Sequence, residues 1–85
     1  MDGYRLLIRR SAEKEIERLP QPIRRPVVAR IAALGSEPRP SGSQELSGQD
    51  AYRIRHGVYR VVYTIDDATR VVTVVRVAHR SDVYR

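Results

Sequence analysis

The spacing of apolar positions along this 85-residue chain predicts one strand, two helices and then three more strands. Alternating apolar residues predict a first strand over Tyr4–Arg10. Apolar stripes with helical spacing predict helices over Ala12–Leu19 and Pro22–Leu34. Ser11 is the expected N-cap of the first helix, and Gly35 is the expected left-handed cap of the second.

The second half of the chain begins with a long polar loop and ends in a β-meander. The segment Ser36–Asp50 is rich in Ser, Gly and Pro, and a short edge strand is expected near Gln44–Leu46. Tight turns are expected at His56-Gly57 and Asp67-Ala68. The predicted strands cover Ala51–His56, Val58–Asp66 and Arg70–His79.

This order of elements predicts an α+β fold, a two-layer sandwich with an antiparallel sheet of four or five strands. The N-terminal strand joins the C-terminal meander, and two helices pack on one sheet face. A length of 85 residues suits a single domain over residues 1–85. The predicted core comprises Tyr4, Leu6, Ile8, Ile16, Leu19, Ile23, Val27, Ile31, Leu34, Ile54 and Val61.

Three arginines are predicted to share the sheet face that the helices leave open. A two-residue loop at His56-Gly57 pairs Arg53 with Arg60, and strand alternation then places Arg55 on their side. We name this surface, defined by these three arginines, the basic face. Like charges directly opposite each other destabilise a sheet, so the basic face is expected to bind an anion such as nucleic-acid phosphate.

The side of the sheet on which Arg80 lies depends on the loop before the last strand. A four-residue loop between the last two strands would place Arg80 on the opposite side of the sheet from Arg60. The last strand is therefore expected to bend or end before Arg80 if the arginines are to form one cluster.

The charge balance favours acidic partners. Lys and Arg total 16 against 10 Asp and Glu, which gives a net charge of +6. Lys14 is the only lysine. Arginine binds phosphate through two hydrogen bonds at once, although a G+C-rich genome would produce the same bias.

Several classes of site are excluded or have no signature. The chain has no cysteine, which excludes disulfides, thiolate zinc sites and cysteine nucleophiles. No metal-binding motif and no phosphate-binding loop is present, so neither a metal nor a cofactor is expected. No apolar run is long enough for a signal peptide or a membrane span, so a cytoplasmic protein without membrane contact is expected.

Two histidines and a terminal tyrosine are the candidates for proton transfer. His56 is expected to be a solvated turn residue. His79 is either a surface or half-buried histidine, or a group that moves a proton or contacts phosphate. Tyr84 is either a packing anchor or a proton-transfer group for RNA cleavage through the 2′-hydroxyl, with a pKa that nearby arginines would have to lower.

The motif YRIR-x-G-x-YRVVY, followed by V-x-V-x-x-V-x-HR-x-DVY after a strand–helix–helix start, resembles the RelE group of bacterial toxins in the RelE/ParE superfamily. The resemblance runs from Tyr4 to Tyr84. It implies a first strand beside the last and a ribosome-dependent endonuclease that cuts the mRNA codon in the A site. The products would be a 2′,3′-cyclic phosphate and a 5′-hydroxyl.

The resemblance also implies roles for individual residues. RelE has lysines where this chain has Arg53 and Arg55, so the charge is kept but a group with an adjustable pKa is lost. These two arginines are assigned to the flanking backbone and the leaving side, and Tyr84 to proton transfer with His79 in reserve. Arg60 and Arg80 are assigned to the scissile phosphate. The predicted RNA-binding residues are Arg53, Arg55, Arg60, Arg76 and Arg80.

The implied partners are the ribosome, its mRNA and a cognate antitoxin with an acidic, partly disordered segment. Two alternatives on the same fold remain open. One is a ParE-like inhibitor of DNA gyrase, and the other is a non-catalytic toxin that binds nucleic acid or only its antitoxin.

Overall fold

The computed structural model describes residues 3–46 and 50–83 and shows within them two helices and one five-stranded sheet. The α+β class is confirmed, and the strand order is β1-β5-β4-β3-β2. β1 lies beside β5 and parallel to it, so the sheet is mixed, with antiparallel pairing elsewhere. The elements are β1 (Arg5–Ile8), α1 (Arg10–Glu17), α2 (Gln21–Ala33), β2 (Gln44–Glu45), β3 (Ala51–His56), β4 (Tyr59–Asp66) and β5 (Val71–His79).

The core lies between the helices and one face of the sheet, as the apolar stripes predict. Tyr63 is fully buried and donates a hydrogen bond to the carbonyl oxygen of Pro38 (2.7 Å). Ile8, predicted to lie in the core, is 37% exposed at the end of β1. The other predicted core residues are either buried or partly buried against the core. The core also contains Ala12, Tyr63, Ile65, Val72, Val74 and Val77.

α1 begins earlier than its sequence suggests. Arg9, in an extended conformation, is the N-cap, and no side chain caps the helix. The prediction of Ser11 as N-cap is wrong, because the Arg9 carbonyl already accepts a hydrogen bond from the Glu13 N–H (2.9 Å). The chain passes almost directly from β1 into α1, so backbone geometry sets the first turn instead of a polar side chain.

α2 accommodates Pro26 in its interior and ends without the predicted left-handed glycine. Val27 and Ile31 are buried on this helix, and their burial offsets the hydrogen bond that the proline cannot make. Gly35 has a different role. Its carbonyl accepts the Tyr4 N–H (2.6 Å), and a Cβ at Gly35 would lie 3.3 Å from the Tyr4 carbonyl oxygen.

The β3–β4 hairpin has a different register from the predicted one. Arg55 is opposite Arg60, and Arg53 is opposite Val62, so the two-residue loop is Gly57-Val58. Gly57 has a φ of 60°, a left-handed conformation that glycine adopts without strain. The shift amounts to one residue on each strand. It therefore changes the pairing but leaves Arg53, Arg55 and Arg60 on the same face.

A β-bulge in β5 decides which side its last residues face. Val62 is opposite Arg76, whereas Tyr63 is opposite Val74, so Val75 is the extra residue. If Val75 paired regularly with Val62, Arg76 would be opposite Val61 in the core row, because Val71 is opposite Asp66. The bulge instead turns Arg76 toward the basic face.

No helix within the described residues is long and apolar enough to cross a membrane.

Candidate functional site

The three arginines of the basic face lie in two cross-strand rows on β3, β4 and β5. The first row is Arg53, Val62 and Arg76, and the second is Arg55, Arg60 and Ala78. Val62 is only 8% exposed although the helices pack on the other side of the sheet. The aliphatic stems of the two flanking arginines can supply that cover while their charged ends stay at the surface. The structure therefore places four of the five predicted RNA-binding arginines in two adjacent rows.

Arg53 is held from the neighbouring strand. Its Nη2 donates to the side-chain oxygen of Gln44, the residue opposite it on β2. Its Nη1 is shielded from solvent and has no hydrogen-bond partner within residues 3–46 and 50–83. Gln44 was not predicted as part of the site, and a polar residue on the expected edge strand was the only signal for it.

Arg60 bends back toward the hairpin loop. Its Nη1 donates to the carbonyl oxygens of Gly57 (3.0 Å) and Tyr59 (3.1 Å). Arg55, directly opposite, is exposed, and its carbonyl accepts a hydrogen bond from Arg30 of α2. These contacts fix the backbone and one guanidinium at the end of the hairpin. Ordered cations of this kind can stabilise the charge that develops on a phosphate.

Arg76 has a carboxylate partner. Its Nε lies 3.2 Å from Oε2 of Glu15, and Oε1 of the same carboxylate accepts the Val77 N–H at 2.8 Å. Glu15 was not predicted as part of the site. It lies 61 positions from Arg76, and local spacing gives no sign of such a contact.

The tail after β5 folds back onto the hairpin. The Arg80 N–H donates to the Val58 carbonyl (2.7 Å), and Arg80 is exposed. Continued strand alternation from Ala78, which is opposite Arg60, would place Arg80 on the side of the basic face. Val83, which was not predicted in the core, is 4% exposed and anchors this turn. Tyr84, the predicted proton-transfer residue, lies outside the described residues.

His79 lies in a different row from the basic face. It is opposite Tyr59, which is in turn opposite His56, and this row faces the helix layer. The His79 and Tyr59 rings meet edge to face with centroids 5.9 Å apart. Nδ1 of His79 accepts the Ser81 N–H (3.1 Å), which leaves Nε2 as the protonated nitrogen of the neutral ring. The structure thus does not bring His79 together with Arg60.

A second polar cluster fastens the loop before β2 to the β4–β5 turn. Arg39 donates two hydrogen bonds to Asp67 (2.9 and 3.2 Å) and lies over the Tyr52 ring. The Tyr4 hydroxyl donates to the same carboxylate at 2.5 Å. The Arg39 hydrogen bonds, followed by that of Tyr4, lower the pKa of Asp67 to about 2. The hydrogen bond to Asp67 raises the pKa of Tyr4. This cluster stabilises the scaffold and contributes no residue to the basic face.

The geometry can bind and stabilise phosphate through fixed guanidinium groups. Among residues 3–46 and 50–83, no three His, Cys, Asp or Glu side chains are grouped to hold a metal ion. Proton transfer requires a group other than arginine, because a guanidinium stays protonated in proteins.

Comparison with known proteins places this geometry in a toxin family. Residues 6–84 match the family described as "ParE toxin of type II toxin-antitoxin system, parDE". The chain is 35% identical to Toxin RelG of Mycobacterium tuberculosis, over 96% of this chain and 97% of that protein. It is 28% identical to one chain in the structure of the archaeal RelE–RelB complex from Pyrococcus horikoshii, with a TM-score of 0.82 over 96% of this chain and 99% of that one. One chain of the RelBE2 toxin–antitoxin complex of M. tuberculosis is 30% identical to this chain, with a TM-score of 0.79 over 96% of this chain and 97% of that one.

Proposed function

The chain belongs to the ParE toxin family of type II toxin–antitoxin systems, within the RelE/ParE superfamily, and we propose that it is a ribosome-dependent mRNA endonuclease. The observation that carries this proposal is the pair of arginine rows on the open sheet face. The substrate strand would be the message in the ribosomal A site. A protein of this kind acts in the cytoplasm.

Cleavage proceeds by attack of the 2′-hydroxyl on the adjacent phosphorus. The bond from phosphorus to the 5′-oxygen breaks, which leaves a 2′,3′-cyclic phosphate upstream and a 5′-hydroxyl downstream. Arg60 and Arg80 stabilise the negative charge of the pentavalent phosphate, while Arg53 and Arg55 bind the flanking backbone and the leaving side. The hydrogen bond from Arg53 to Gln44 holds this cation at the basic face, which supports its contact with phosphate.

Tyr84 is the proposed proton-transfer residue, with His79 in reserve. Replacement of Tyr84 by Phe removes only the phenolic oxygen, so it separates proton transfer from packing. We expect cleavage to fall by orders of magnitude, with ribosome binding and melting temperature near the wild-type values. Undiminished cleavage by Tyr84→Phe, together with loss in His79→Ala, would transfer the role to the histidine.

A cognate antitoxin is the proposed protein partner. One of the similar structures is a toxin–antitoxin complex by its own description, and another is a RelE–RelB complex. An acidic, partly disordered antitoxin segment would complement the net charge of +6 and cover the arginines.

Inhibition of DNA gyrase is the second candidate function, because the matching family is named after the ParE toxin. Brief expression followed by mapping of mRNA 5′ ends in ribosome-bound message, with a parallel supercoiling assay on purified gyrase, separates the two functions. We expect new 5′ ends within codons and unaffected supercoiling. Blocked supercoiling without new mRNA ends would assign the gyrase function instead.

A further inference from the structure

Glu15 takes the place of a missing strand beside the bulged part of β5. β1 pairs with β5 only as far as Ile8 opposite Val74, and the Arg9 N–H then donates to the Val74 carbonyl (3.0 Å). Beyond that point, Oε1 of Glu15 accepts the Val77 N–H at 2.8 Å. The first helix therefore satisfies a strand-edge donor of β5.

The same carboxylate balances a cation of the basic face. Oε2 of Glu15 is 3.2 Å from Nε of Arg76, and the side chains of Arg76 and Glu15 are 32% and 24% exposed. An ion pair this well covered is screened by salt less than an exposed one. A single side chain thus fixes the backbone just after the bulge and partly neutralises the arginine that the bulge turns outward.

We propose that Glu15 is a positioning residue that holds Arg76 at the basic face and masks its charge. The nature of the ligand, an RNA phosphate, rests on the proposed function. The Glu15 carboxylate lies against the Arg76 guanidinium and repels an approaching phosphate, so RNA free in solution gains little from this arginine. RNA that other contacts already hold on the basic face can still approach Arg76. Glu15 therefore favours binding of RNA that other contacts already hold on the basic face over binding of RNA free in solution.

The charge-masking role is tested by binding of a single-stranded RNA oligonucleotide as a function of salt. Glu15→Gln removes the charge but keeps an oxygen for the Val77 N–H. We expect this variant to bind several-fold more tightly at low salt, with a log–log salt slope steeper by about 0.7, the value for one added phosphate contact on a single strand.

The matched control is Glu13→Gln, which removes the same charge from an exposed position on the same helix. It should bind nearly as the wild type does. Equal affinities and slopes for the two variants would overturn the masking role. So would an effect of Glu15→Gln that persists when Arg76 is also replaced by Gln.

The backbone role is tested by hydrogen exchange at the Val77 amide. Glu15→Ala should accelerate exchange there, whereas Glu15→Gln should keep the protection. Unchanged protection in Glu15→Ala would overturn this half of the proposal. If Glu15→Ala does not fold, unchanged Val77 protection in Glu15→Met, which keeps the length of the side chain but has no oxygen, would do so. If the Glu15 variants bind the oligonucleotide as predicted but the wild-type chain never cleaves ribosome-bound message, that result would support Glu15 as the positioning residue and contradict the proposed function.

Discussion

At the scale of single residues, Arg60 is a cation of the basic face that the hairpin backbone holds in place. Its Nη1 is held by two carbonyl oxygens of the hairpin end, so little reorganisation is needed to meet a phosphate. Replacement by Gln removes the charge and keeps much of the stem. We expect the cleavage rate on ribosome-bound mRNA to fall by about 10²–10³-fold, the range for loss of one group that stabilises transition-state charge.

The control for Arg60→Gln is Arg25→Gln, which removes the same charge from an exposed position on α2. Cleavage by the control should stay within a few-fold of wild type. Equal losses in the two variants would show that net charge, and not the basic face, governs the reaction.

Asp67 makes stability depend on pH at acid values. Its pKa is about 2 in the folded chain against an ordinary value of 3.8, because Arg39 and Tyr4 donate to its carboxylate. The depressed pKa means that this stabilisation is fully present above about pH 4 and is lost as the pH falls toward 2. Asp67→Asn should flatten that part of the melting-temperature profile, measured between pH 2 and 5. A profile with the wild-type slope would contradict the assignment.

At the scale of elements, the face of the hairpin was predictable from sequence but its register was not. Strand alternation has a period of two, so the wrong pairing of Arg53 with Arg60 still gave the right face. The bulge at Val75 could not be predicted, because a run of valines looks the same with or without an extra residue. Glu15 was missed for a related reason, since its contacts with Arg76 and Val77 exist only after the first helix packs along β5.

The junction of α2 and β1 depends on the absence of a side chain at Gly35. A Cβ there would lie 3.3 Å from the Tyr4 carbonyl oxygen, and backbone atoms at that point cannot move aside as a flexible side chain would. Gly35→Ala should therefore lower the free energy of unfolding by about 1–3 kcal/mol, the usual cost of a forced backbone shift. Denaturant unfolding measures this. Gly3→Ala, where the nearest atom to a Cβ is 3.6 Å away, is the control and should be nearly neutral.

At the scale of the whole molecule, the arginines of the basic face and the apolar core lie on opposite faces of one sheet. The chain carries a net charge of +6, and the open face of its sheet bears Arg53, Arg55, Arg60 and Arg76. The opposite face is used for the core, so ligand binding and folding do not compete for the same side chains. We therefore expect that charged residues can be removed from the basic face with little loss of stability. We also expect the proposed ribosome affinity to fall as salt is raised, because arginine–phosphate contacts are screened.

The measurement that tests this account most directly uses purified ribosomes with a defined mRNA codon in the A site. The wild-type chain should make one cut within that codon and leave a 2′,3′-cyclic phosphate and a 5′-hydroxyl. Without ribosomes the same mRNA should stay intact, and Arg60→Gln should cut far more slowly. Intact mRNA on programmed ribosomes, or equal cleavage by the wild type and Arg60→Gln, would contradict the account.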